Sequence, residues 1–187
     1  MKPTLDNKAI WNEAAVAGML FGAVSIACIM GKEAAAMSGK AFLTSLGSIV
    51  LWAVEFFGCI LLMKKRMMLL KDKYYNVQIE DSYRFGRRAA LLSGLLVASA
   101  NALIILKMPA ETMDTLVGTL ASQMKLSSSE MDAVGGIVDK LPLWTFIFQW
   151  VYCFLYGTVL SAIMARYVFI KRLFDGSSQG NQGPDEQ

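Results

Sequence analysis

The chain has 187 residues, 55% of them apolar and 18% charged, with a formal charge of +3 and no histidine. Ordinary soluble domains run nearer roughly 45–50% apolar and about 25% charged, and the mean hydropathy here is +0.44. A soluble enzyme, a nucleic-acid binder and a disordered chain are excluded. The composition reads as an all-α integral membrane four-helix bundle.

The first apolar run is Ala14–Met30, within a span of about residues 12–31. A cleaved secretory signal is the weaker reading, because the run exceeds a signal's apolar core of roughly 7–15 residues. Ala14, Gly18 and Gly22 recur every fourth position, which on a helix makes one flat stripe. The second run, Ala41–Met63, gives a span over 41–63 and holds Glu55, the one formal charge inside any of the four runs. Residues 64–88 follow with eight basic side chains, among them Lys64, Lys65, Arg66, Arg87 and Arg88, against three acids. The basic cluster fixes topology and is a candidate contact for anionic lipid headgroups.

The third run, Ala89–Leu106, gives a span over 88–107 with Ala90, Gly94, Ala98 and Ala102 in a second stripe. Residues 109–139 then predict an extracytoplasmic amphipathic helical hairpin. Pro109 suits a first helical turn, and Met113, Leu116, Val117, Leu120 and Met124 fall on one face. Ser127-Ser128-Ser129-Glu130 resembles a capping box that starts the second arm. The fourth run, Leu141–Ala165, gives a span over 142–166 with Cys153, Gly157, Ser161 and Ala165 in a third stripe. A four-span domain over 1–173 and a disordered polar tail over 174–187 complete the expected organisation.

Lys and Arg beside a span resist translocation. Cytoplasmic termini put 13 basic residues inside and 5 outside. The expected orientation is N-in and C-in in a bacterial inner membrane, with the 107–140 loop outside.

Small-residue stripes let helix backbones approach where lipid gives no hydrophobic drive for association. Gly18, Gly22, Gly94, Ala98, Gly157 and Ser161 are the candidate packing positions, within one bundle or between two copies in a homo-oligomer. Trp11, Trp144, Tyr167 and Phe169 sit where interface anchors belong. Cys28, Cys59 and Cys153 all lie in apolar runs, so neither a disulfide framework nor a metal spacing is expected.

Glu55 is the sharpest chemical feature. It lies nine residues before Lys64, roughly 13 Å from the inner end of its span at 1.5 Å per residue. No basic residue falls inside the runs to pair with it, so it should be protonated, or face water or a bound cation. Ser99 and Thr158 fall at a similar depth and complete a candidate proton or cation site; Asn101 and Gln149 sit further out. The competing reading is a neutral carboxylic acid hydrogen-bonded to a facing helix.

Ala17-Gly18…Gly22 in the first span, the lead Asp81-Ser82-Tyr83-Arg84-Phe85-Gly86-Arg87-Arg88 into the third, and Ser127-Ser128-Ser129-Glu130-Met131-Asp132 before the fourth form a pattern over residues 10–173. It resembles an uncharacterised family of small four-span bacterial inner-membrane proteins. That resemblance implies one four-helix membrane domain and brings no catalytic or binding residues with it. With neither catalytic motif nor histidine, no catalytic, cofactor or metal site is expected. The function read from the sequence is a non-enzymatic membrane module for partner binding, through 109–139, or for envelope organisation. A small proton- or cation-coupled transporter or channel using Glu55 is the alternative. Membrane lipids are expected partners and nucleic acid is not.

Overall fold

The computed structural model describes residues 3–37, 41–75, 77–124 and 140–177. Five helices account for nearly all of them: α1 Asn7–Met37, α2 Ala41–Lys73, α3 Ile79–Leu106, α4 Ala110–Met124 and α5 Leu141–Ser177. Four of these contain apolar stretches of 28 or 29 residues, long enough to cross a membrane. The chain is a small multi-span helical membrane protein.

Helix starts follow local chemistry. Asp6 Oδ1 accepts from the Ala9 N–H at 2.7 Å and caps α1. The Gln78 N–H donates to Asp81 Oδ2 at 3.1 Å at the start of α3. The Pro109 carbonyl takes the Thr112 and Met113 amides as α4 begins, so Pro109 caps that helix from just outside its first turn. The helices overrun the apolar runs because helical hydrogen bonding continues past the hydrocarbon into polar segments with good helix formers. Thus α1 continues to Met37 and α2 to Lys73. α5 continues to Ser177 and so takes in the first four residues, 174–177, of the expected tail; residues 178–187 lie outside the described set. The first arm of the expected hairpin is α4, and the second arm lies outside the described residues.

The small-residue stripes set the helix register. A Cβ on Gly18 would lie 2.9 Å from Leu92 Cβ, and one on Gly22 3.0 Å from Leu96 Cδ1. Both pairs are offset by the same number of residues, so α1 and α3 run parallel. Between α3 and α5 the small residues mesh antiparallel. Gly86 faces Ser161, Gly157 faces Ala90, and a Cβ on Gly94 would lie 3.1 Å from Cys153 Cβ. Each step is one four-residue turn along both helices, as close backbone approach requires. Ala98 and Ser161 are fully buried. The stripes are therefore occupied within one chain.

The bundle is tight at one end and loose at the other. The core comprises Ile10, Ala14, Ala17 and Phe21 of α1, Met63, Met67 and Leu70 of α2, Phe85 and Ala89 of α3, and Leu160, Ala165 and Val168 of α5. All come from the halves adjoining the basic segments. That end is further tied by polar contacts. Arg88 donates to the Asn7 side-chain oxygen at 2.6 Å and stacks over Trp11 at 4.6 Å. Lys73 and Tyr74 both reach Glu13, and the Tyr75 N–H donates to the Pro3 carbonyl at 3.0 Å. In the other half no residue of 29–35, 45–62, 99–106 or 141–156 is buried. The four spans splay there.

Candidate functional site

Splaying leaves a cavity of about 320 Å³ between all four spans. Its floor is Phe21, Met63, Ala90 and Leu160, at the edge of the packed core. Helical periodicity selects the rest of the lining: Ser25, Ile29 and Lys32 follow from α1, and Ser93, Val97 and Asn101 from α3. Trp52, Glu55, Phe56 and Cys59 line it from α2, and Gln149, Tyr152, Cys153 and Tyr156 from α5.

Glu55 has a partner. Lys32 Nζ lies 2.9 Å from Glu55 Oε2, with the two side chains 30% and 26% exposed. The expectation that no basic residue meets Glu55 is corrected here. Lys32 lies two residues past its apolar run, but α1 remains helical to Met37 and keeps it on the bundle face. In a helix, Cα–Cβ bonds tilt toward the N-terminus. α1 and α2 are antiparallel, so Lys32 leans into the bundle while Glu55 leans out toward it. Gly31 faces Leu51 at the same level, with a Cβ there 3.2 Å from Leu51 Cδ1. The two long side chains close the remaining offset.

Ser99 and Thr158 do not join Glu55. The Ser99 hydroxyl donates back to the Leu95 carbonyl at 2.8 Å and lies outside the cavity lining. Ser99 sits two residues from Val97, about 200° around the helix, so equal depth does not give a shared face. Thr158 is one residue from the lining Gly157, about 100° away. Its hydroxyl is buried with no hydrogen-bond partner among the described residues. Equal depth on different helix faces keeps both hydroxyls apart from Glu55, and Asn101 and Gln149 stand in the cavity with it instead.

The cavity also has an aromatic wall spanning α2 and α5. Trp52 stacks on Phe56 with centroids 5.5 Å apart, and Phe56 meets Tyr156 at 6.1 Å. Tyr156 stacks on Tyr152 at 6.4 Å. The Tyr156 hydroxyl is buried without a hydrogen-bond partner among the described residues. Gln149 Nε2 donates to the Cys153 thiol at 3.4 Å. Among the described residues no three His, Cys, Asp or Glu side chains gather into a metal-binding group.

The candidate lipid-contact residues divide at the basic end. Lys64 stacks over Tyr167 and Arg87 over Tyr83, and Arg88 holds Asn7 and Trp11. Lys65 is exposed, and Arg66 is half-exposed. Of the apolar stripe on α4, only Met113 has described surroundings, and it is half-buried.

Comparison with protein-family models, with characterised proteins and with solved structures finds no match to this chain.

Proposed function

We propose that this chain is a non-enzymatic membrane module that binds a small molecule in the cavity among its four spans. The observation that carries the reading is the contrast between the two halves. One is packed and tied; the other holds a lined cavity with an ion pair, two amides and a row of aromatic rings. Binding sites of roughly 300–1,000 Å³ with a largely apolar wall and a few convergent polar groups are the usual form for small ligands. The charge pattern favours a bacterial inner membrane, with both termini cytoplasmic and the cavity toward the outside. The resemblance to the uncharacterised four-span family fits the same placement.

The test is a thermal-shift screen of the protein in lipid nanodiscs against a panel of small amphiphiles. A ligand that binds only the folded state raises the melting temperature. The proposal expects shifts that vanish in Cys59→Phe, which fills the cavity, provided that variant folds with an unchanged baseline. No shift from any compound would contradict it.

Ion coupling through Glu55 is a second reading, favoured by the placement of the Lys32–Glu55 pair on the cavity wall. It expects Glu55→Gln to abolish an ion-dependent flux in proteoliposomes while leaving insertion intact. Docking of an extracytoplasmic protein or envelope organisation through 109–139 draws on the exposed described side chains of α4. It expects a pull-down to lose its partner when that segment is removed.

A further inference from the structure

Resting on the cavity reading above, we propose that the ligand is a small aromatic or aliphatic cation whose charge displaces Lys32 from Glu55. The two halves of the ion pair differ in freedom. Glu55 sits mid-helix on a short side chain, and α2 continues for 18 residues beyond it to Lys73. Lys32 stands five residues before the end of α1 at Met37, on a four-carbon stem that can carry its ammonium to the interface. An arriving cation therefore meets a carboxylate whose present counter-ion has somewhere to go. An arriving anion would strand Glu55 with no replacement partner, which is costly at that depth.

The wall chooses the same sign. Trp52, Phe56, Tyr152 and Tyr156 form a continuous row of rings beside the pair. Ring faces carry negative charge density and attract cations, indole most strongly. The buried Tyr156 hydroxyl, without a partner among the described residues, supplies an oxygen that can accept from an ammonium N–H. With Lys32 in place the pair is neutral, so binding is an exchange of one cation for another.

The test measures binding of three water-soluble probes of similar size to the protein in nanodiscs by calorimetry, with empty nanodiscs as the blank. The probes are benzylammonium, benzenesulfonate and benzyl alcohol. The proposal expects the cation to bind about tenfold more tightly than either other probe. It further expects Lys32→Met to tighten cation binding and Glu55→Gln to weaken it, each by about tenfold. The comparison of probes on the unmodified protein needs no variant to fold. Preferential binding of benzenesulfonate or benzyl alcohol overturns the cation assignment and leaves the cavity reading standing. Binding of none of the three overturns both.

Discussion

Lys32, two residues past the first apolar run, and Glu55, the one charge inside the second, meet at 2.9 Å across the α1–α2 interface. Each residue alone would be expensive in a membrane; together they are a neutral dipole facing a cavity. Their partial exposure keeps the interaction well below the roughly 3–5 kcal/mol lost when a fully buried pair is broken.

Removing either partner should therefore destabilise the bundle by about 1–3 kcal/mol. Lys32→Met and Glu55→Gln are expected to lower the thermal midpoint in nanodiscs. The exchange Lys32→Glu with Glu55→Lys should recover most of the loss, since the pair is then rebuilt with opposite polarity. Additive losses in the double variant would mean that the two side chains do not interact.

The α3–α5 seam makes a steric prediction. A methyl at Gly157 would overlap Ala90, and one at Gly86 would overlap Ser161. Gly157→Ala should cost about 1–3 kcal/mol through overpacking. Gly58 has nothing within 4 Å of an added Cβ. Gly58→Ala should be neutral, or should stabilise by up to about 1 kcal/mol through helix propensity. Equal effects at the two positions, read by thermal unfolding, would contradict the register.

At the basic end the cations divide by role. Arg88 holds Asn7 and Trp11, so Arg88→Gln should loosen the N-terminal segment, seen as faster amide exchange at residues 7–13. Lys65→Gln with Arg66→Gln should leave that exchange unchanged and lower enrichment of anionic lipid around the protein, by about 1 kcal/mol per charge. The same phenotype from both substitutions would remove the distinction.

Span number, the packing stripes and the basic end were legible in the residues because length, four-residue spacing and charge asymmetry depend only on local sequence. The Gly86–Ser161 pair was half-visible: Ser161 stood in its stripe, while Gly86 lay in the basic lead before the third apolar run. Lys32 was hidden for a similar reason. A hydropathy boundary ended the span at about residue 31, whereas the helix and its inward face continue to Met37. Ser99 and Thr158 matched Glu55 in depth but not in angle, and only the relative rotation of the four helices decides which polar groups converge. That rotation is set by Gly18 against Leu92 and by Gly157 against Ala90, contacts between distant segments that no local pattern encodes.

The most direct measurement of the central claim uses the three native cysteines. Thiols react as thiolates, which form only where water reaches them. Cys59 and Cys153 line the cavity, and Cys28 is buried at 5% exposure outside the lining. In intact membranes, labelling by a small water-soluble thiol reagent as the pH is raised, mapped by mass spectrometry, should modify Cys59 and Cys153 and spare Cys28. Equal protection of all three would mean that the spans close around no water-accessible cavity, and would contradict the account.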